Sequence, residues 1–598
     1  MILNLIVIAG VLGIGYIWVT RGFFSAMLHM ICVLIGGAVA LALWEPLAYL
    51  ILQNTPDRGF FTFLEGVAWG AALILPFAIT TALLRLAVDG IIRANVKVPP
   101  VADYVGGGVC GVVAGVISMG LVVTGMGHTR MGAAMFGYKP LTTSISTGLQ
   151  KEAGLWLPAD AITGAIYAHL SRGVLSTSTP LADWHPDFAT APAALRMSLG
   201  DGKGRNAMPV DAVTLLHTWT VGKDAGEQLQ RLMTDKWNPA AQTSRRIDGE
   251  QFHPQSHIVG YMLRFGPGAR EPRGNVVISE GQVRLVLRNR RTGSSMAVHP
   301  IAAVSPAAGE TNPPIYARWR YGGPFHLSSV GGAADTLMGF EFIVEPGYEP
   351  IGLTVKNTRI RVDRTSEPIV FATPAERDRA IETGRILAGH GQAGTADLDR
   401  SAAERVGTQT AASGTSESGI VVGRNLPGRI IIQRGSHRTL QLDGNEIVSG
   451  SEAFNPEEVR RGFSIPMNLQ IRQFQTTEDT TLVQVDVSLR SRQSLLGQAA
   501  AAAERVVPPV LIDRNGLRYE AVGYFYRDSS IVRLRYTPGN PIRGLTELER
   551  DGVALSRSAA EQELILLFRV SSGVEIERFV IGNTVIAEYS PPIEATRR

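Results

Sequence analysis

Four ionisable side chains lie in or beside long apolar runs: Glu45, Glu65, Arg85 and Asp89. A charge at membrane depth is costly, so each is a candidate for function by default. Glu45 and Glu65 stand at similar distances on either side of the turn from Gln53 to Phe60, which sets both near one face of a bilayer. Two carboxylates in contact repel, one pKa rises, and the pair shares a proton. That is chemistry suited to a channel or transporter subunit. Arg85 and Asp89 are four apart on one helix face and can pair near the opposite side. The plainer alternative is that all four sit at span ends and reach interfacial water by snorkelling.

Other chemistry is thin, and the reading names no catalytic, cofactor-binding or metal-binding residue. His253 and His257 have helical ligand spacing, but Pro254 lies between them and no cysteine or carboxylate cluster completes a shell. Asp513, Arg514, Asn515 and Gly516 resemble the start of a calcium loop, yet Asn-Gly between apolar runs is better explained as a hairpin turn. A trypsin-like protease needs a serine among glycines that shape an oxyanion hole. The nearest imitation, Gly414, Ser416, Ser418 and Gly419, lies in a stretch without apolar residues to hold it. No phosphate-cradling loop or dinucleotide fingerprint is present.

The elements that position the four charges are apolar runs of the length a bilayer requires, about 20 residues each. They extend from Leu3 to Thr20, Phe23 to Leu52, Phe61 to Val88 and Tyr104 to Gly125. Met1 to Thr20 lacks a basic n-region and a cleavage site, so it reads as a span rather than a signal peptide. Cytoplasmic loops are biased toward Lys and Arg. Arg21 and Gly22 in the first turn, with Arg93 and Lys97 between the third and fourth runs, therefore mark the cytoplasmic side, against Arg58 on the other. Four spans then leave the long C-terminal part outside, in the periplasm of a bacterial inner-membrane protein. Both cysteines, Cys32 and Cys110, fall inside predicted spans, so the exterior has no disulfides. A net charge of +4 over 598 residues is too dilute to suggest nucleic acid.

In the fourth run Gly107, Gly111 and Gly115 fall on one helix face, where a second backbone can approach closely. Such a face serves packing within the chain or a homo-oligomer contact. The turn Arg21, Gly22, Phe23, the third long span, and a last span entered through Asp103 and the glycines from Gly106 to Gly115 resemble the CvpA family, named for colicin V production. The resemblance covers about the first 125 residues. It implies an inner-membrane protein linked to bacteriocin production and envelope physiology, with no catalytic residues to carry over. Asn4 stands where the family pattern has an acidic residue.

Residues 128–250 read as a mixed juxtamembrane region covering the outer mouth of the bundle. Ile162, Ile166 and Leu170 predict a short amphipathic helix with that stripe buried, and Lys223 to Trp237 also reads helical. From Gln251 the texture becomes short alternating strands. Phe342, Val344, Gly347, Leu353, Val355 and Ile360 recur at the same spacing as Phe568, Val570, Gly573, Phe579, Ile581 and Ile586, and Asn357 and Thr358 match Asn583 and Thr584. Upstream, Val283, Leu285 and Leu287 match Val485, Val487 and Leu489. Such repetition means two related units, read as immunoglobulin-like antiparallel β-sandwiches over 251–371 and 420–592. Between them Thr373, Pro374 and Glu376 predict a capped helix to Ala388, and Gly389 to Gly419 a flexible linker with a reach of about 30 Å.

The fold class is thus a four-helix membrane bundle over residues 1–127 followed by two antiparallel β-sandwiches. The expected partners are membrane lipid and an envelope or periplasmic protein, and no cofactor is expected. The expected role is a scaffold or envelope-homeostasis factor. The alternative is a channel or transporter subunit using the intramembrane acids.

Overall fold

The structure is a computed structural model that describes residues 2–56, 60–92, 96, 98–144, 147–177, 179–198, 204–223, 229–232, 244–271, 274–306, 316–321, 326–328, 336–360, 362, 367–382, 386, 419–461, 469–477, 480–488, 491, 507–514, 518–553, 562–582 and 584–596. Four helices, α1 (Ile2–Arg21), α2 (Phe23–Asn54), α3 (Phe63–Ile91) and α4 (Pro100–Gly127), are long and apolar enough to cross a membrane. They coincide with the four expected runs. Arg58, Arg93 and Lys97 lie outside the described residues.

The turn between α1 and α2 shows why it needs its residues. Gly22 sits at φ 84°, which favours glycine, and the Phe23 backbone N–H donates to Asp103 Oδ1 at 2.7 Å. A carboxylate from the start of α4 thereby caps the start of α2 and complements its dipole. The glycine face of α4, Gly107, Gly111 and Gly115, packs against α1 of the same chain, the first of the two uses such a face can serve. A Cβ on Gly111 would lie 2.9 Å from Trp18 Cβ, and one on Gly115 would lie 3.0 Å from the Val11 carbonyl oxygen. Backbone contact supplies close packing where lipid gives helices no hydrophobic drive to associate.

The first β domain begins earlier than Gln251. Strand β1 (Val213–Val221) belongs to its larger sheet, because it pairs along its length with β2 (His257–Phe265). Apart from a small pair, Val277–Ser279 with His326–Ser328, the other strands are β3 (Val283–Asn289), β4 (Ser295–Val298), β5 (Ala302–Pro306), β6 (Tyr316–Arg320), β7 (Thr336–Val344), β8 (Tyr348–Val355) and β9 (Thr358–Ile360). One sheet runs β1-β2-β7-β5-β6, with residues 369–371 added parallel to β1, and the other runs β9-β8-β3-β4. Tyr261, Leu263, Leu285, Leu287, Phe340, Phe342, Leu353 and Val355 fill the space between them. Of the expected helical stretch Lys223 to Trp237, Lys223 and Leu229–Leu232 are described, the first in a turn and the second helical.

The second domain repeats this order. Its strands are β10 (Ile420–Val422), β11 (Thr480–Asp486), β12 (Pro509–Asp513), β13 (Arg518–Arg527), β14 (Val532–Tyr536), β15 (Glu563–Ser571), β16 (Glu575–Ile581) and β17 (Thr584–Glu594). One face runs β10-β11-β15-β13-β14 and the other β17-β16-β12-β13. The long strand β13 serves both faces, doing in one piece what β4 and β5 do in two. The pairing corrects the upstream half of the expected repeat. Leu285 of β3 faces Leu353 of β8, and Leu511 of β12 faces Phe579 of β16, equally far back in sequence. The counterpart of β3 is therefore β12, whereas Val485 lies on β11, the counterpart of β2. Alternating apolar residues recur in every strand, so spacing alone matched the wrong pair.

In both domains the larger sheet is buried on both faces, and β7 is buried along its entire length. Helix Pro374–Glu382 covers it in the first, and of the rest of the stretch expected to Ala388 only Ile386 is described, in helical conformation. Its start is capped as expected: Glu376 N–H donates to Thr373 Oγ1 at 3.3 Å, and the Glu376 carboxylate accepts from Ala372 N–H at 3.1 Å. Arg377 from this helix and Arg318 from β6 close on the buried Glu341, at 3.2 and 2.6 Å. In the second domain, strands within residues 430–474 cover the equivalent face around Ile432, Phe474, Val522 and Leu567. The expected linker falls almost wholly outside the described residues, as do Gly414, Ser416 and Ser418.

If the α1–α4 contact depends on backbone proximity, Gly115→Leu should lower the melting temperature in detergent, by overpacking worth about 1–3 kcal/mol. Gly13→Leu, at a position with nothing within 4 Å of a built Cβ, should leave it unchanged. Equal melting of the two variants would refute the contact.

Candidate functional site

A cluster of charged and polar side chains lies at the rim of the bundle, where α2 nears its end, α3 begins and α4 stops. The two-residue turn between β8 and β9 reaches into it. Lys356 and Asn357 adopt φ of 47° and 65°, a left-handed conformation that costs a non-glycine residue about 1–2 kcal/mol. In the second sandwich the first of these positions is Gly582, at φ 58°. The strain accompanies four consecutive contacts. Lys356 Nζ lies 3.0 Å from Glu271, Asn357 Nδ2 donates to His128 Nδ1 at 2.9 Å, Thr358 Oγ1 donates to the Met208 carbonyl at 2.9 Å, and Arg359 pairs with Glu45 at 2.8 Å. The Arg359 backbone N–H also donates to Tyr49 Oη at 3.1 Å, and its guanidinium lies 4.6 Å from the centre of the Trp184 ring.

Glu45 holds a second partner, His185 Nε2, at 3.0 Å. On the other side of that ring, Nδ1 lies 3.0 Å from an Arg284 nitrogen. Arginine only donates, so Nδ1 accepts and the His185 proton resides on Nε2, directed at Glu45. Arg284 also pairs with Asp187 and donates to Thr354 Oγ1 at 2.8 Å. Strand alternation places Arg284 opposite the sandwich core, yet it is buried, because residues 181–190 fill the space between that sheet face and the bundle. Trp184 lies so close to Gly352 that a Cβ there would stand 2.3 Å from its ring.

Glu65 is held separately. Arg205 grips it through two nitrogens at 2.5 and 2.9 Å, the fork geometry that suits a carboxylate. The Arg205 backbone N–H donates to Glu271, which also binds Lys356, so the chain Glu65, Arg205, Glu271, Lys356 links α3 to the β8–β9 turn. Burial lowers the Lys356 ammonium from its usual value, and the Glu271 carboxylate opposes that shift. The C-terminus of α4 is finished by Arg196, which donates to the Gly127 carbonyl at 2.8 Å, a cation at the negative end of the helix dipole. His128 follows, packed 5.1 Å from the Trp44 ring, and burial and then the charge of Arg284 hold its imidazole well below the usual range.

Glu45 and Glu65 thus neither share a proton nor end in interfacial water alone: each enters its own ion pair with an arginine from outside the bundle. Arg85 and Asp89 pair as expected, at 2.6 Å, at the other end of the bundle. There Arg85 also donates to Ser25 and lies over Trp18, as does Arg21. Asn4 accepts from the Trp156 backbone N–H at 3.0 Å, a role an amide fills without charge. Sequence reasoning missed His128, His185, Arg205, Arg284, Lys356 and Arg359. One signal was available: the recurring Asn-Thr pair is preceded by Lys356 in one copy and Gly582 in the other. No group of three or more potential metal ligands occurs among the described residues. The arrangement clamps two bodies together by charge.

Beside the clamp lies a cavity of about 300 Å³ lined in part by Asp187, Arg246, Glu280, Ser295 and His299. Glu280 accepts from Thr143 Oγ1 at 2.7 Å and from Leu149 N–H at 2.9 Å, tying the 141–151 hairpin to the first sandwich. Burial pushes its carboxyl up to about 7, against those hydrogen bonds.

Two predictions follow from these geometries. Glu65→Gln and Arg205→Gln should each destabilise the protein by about 1–3 kcal/mol, and the double variant should lose measurably less than their sum. Additive losses in thermal unfolding would break the assigned pairing. A carboxyl whose folded pKa is raised keeps its proton longer when folded, so stability falls as pH rises from the unfolded value near 4.5 through about 7. Glu280→Gln should remove that fall, gaining on the order of 3 kcal/mol over the wild type at pH 8 and little at pH 4.5. A constant difference across melting curves at several pH values would reject the assignment. No protein-family model, curated protein or solved structure matches this chain.

Proposed function

We propose that the chain is an inner-membrane anchor, similar in its first 125 residues to CvpA-type proteins, that holds two β-sandwich binding modules in a set pose on the periplasmic side. The observation that carries this reading is the double clamp: Glu45 binds Arg359 and Glu65 binds Arg205. Acids employed in this way are occupied as structural anchors, which favours a scaffold over the channel or transporter reading. The bundle then orients the first sandwich, and the second, with its additional strand layer, is the module free to meet an envelope protein through strand edges or loops. The role is scaffolding or envelope homeostasis of the kind the family resemblance implies, and the reading assigns no reaction.

A membrane-impermeant crosslinker applied to cells with a permeabilised outer membrane should capture an envelope protein with the full chain. The adduct should disappear when residues 420–598 are removed and persist in Glu45→Gln. Protection of the whole extramembrane part from the reagent, or an adduct indifferent to the truncation, would defeat the proposal.

A further inference from the structure

Helix α5 (Ala159–Arg172) is too short to cross a bilayer, yet it contacts two spanning helices well below the rim. Tyr167 Oη donates toward the carbonyls of Val33 and Leu34 on α2, at 3.3 and 3.1 Å. Thr163 Oγ1 donates to the Val116 carbonyl on α4 at 3.3 Å. Leu34 precedes Glu45, and Val116 precedes Gly127, by three helical turns, about 16 Å along each axis. Glycines make room at that depth. A Cβ on Gly37 would fall 1.9 Å from Tyr167 Oη, and one on Gly120 would fall 2.4 Å from the Ala159 carbonyl.

The faces of α5 are rotated from the expectation for a soluble amphipathic helix. Ile162 is exposed and Ile166 and Leu170 are only half-buried, whereas Asp160, Thr163, Gly164, Tyr167 and Ser171 face the protein. Small and polar residues inward, with Ile162 outward and Ile166 and Leu170 on the flank against the bundle core, is the pattern of a helix solvated by lipid, where interhelical hydrogen bonds and close approach replace the hydrophobic drive. Of the exposed positions of α5, Ala161, Ile162 and Ala165 carry no charge, and the polar ones, His169 and Arg172, fall in its last turn toward the sandwiches. Their neighbour Trp156 is 59 % exposed beside Asn4 of α1, so the surface is continuous with the lipid-facing side chains of α1, Leu5 and Ile6 among them. The charged end of α5 turns the other way: Arg172 pairs with Asp183 and reaches the Gly293 carbonyl in the β3–β4 turn.

We propose that α5 is a fifth membrane-embedded helix, a re-entrant element in the leaflet nearest the sandwiches, with acyl chains covering its outward face. The inference concerns placement and goes beyond the scaffold reading. Nitroxide labels at Ile162→Cys and Ala165→Cys, in full-length protein with Cys32 and Cys110 replaced by alanine and reconstituted in phospholipid vesicles, test it directly. The references are Leu12→Cys on the exposed face of α1 and Val421→Cys on β10. Both α5 labels should collide severalfold more often with oxygen than with a water-soluble nickel chelate, as at Leu12. Nickel accessibility like that at Val421 would overturn the proposal, and so would inaccessibility to both reagents, which would mean that protein covers the face.

Discussion

A carboxylate at the edge of a bilayer must find a cation or draw in water, and that requirement governs how this protein is assembled. Glu45 and Glu65 meet it with arginines that belong to the extramembrane chain, Arg359 and Arg205. Leaving either acid unpaired in a partly buried site would cost more than the pair itself contributes, so the interaction works chiefly by penalising separation. Because Glu271 joins Arg205 to Lys356, and Arg359 follows three residues later on β9, the two clamps share the β8–β9 hairpin. Displacing the first sandwich from the rim would therefore expose both acids together.

The duplicated sandwiches show how one scaffold acquires a docking function. Strand order is the same in both, down to the sheet exchange performed by β4 and β5 in one and β13 in the other. What differs is the outer surface. The first copy turns the face of β9-β8-β3-β4 toward the bundle and fills its polar positions with Arg284 and Thr354, where an exposed sheet would carry solvated residues. At the turn it accepts a strained Lys356 where the second copy has glycine. Backbone strain of this kind persists only where surrounding contacts over-determine it, and the contacts of residues 356–359 do so.

Small residues set the other constraint. Gly111 and Gly115 let α1 lie against α4, and Gly37 and Gly120 admit α5 between α2 and α4. Each replaces side-chain bulk by backbone proximity, which allows carbonyls such as Val33 and Val116 to accept hydrogen bonds from another helix.

The sequence by itself determined the elements whose signal is local. Four apolar runs, the basic glycine turn, the Arg85–Asp89 pair, the capped helix at Pro374 and the repeated strands near the end of each sandwich all follow from composition and spacing within a few turns of chain. It also marked Glu45 and Glu65 as unusual, because an acid in an apolar run is costly wherever it lies. Only the tertiary structure decided which groups answer those acids, since Arg205 and Arg359 are far away in sequence and look like any surface arginine. It also decided the register of the repeat, because alternation is alike in every strand and hydrogen-bonded partners distinguish β11 from β12. The orientation of α5 was decided the same way: helical periodicity reveals a stripe, but whether protein, water or lipid lies against that stripe depends on neighbours that local sequence does not name.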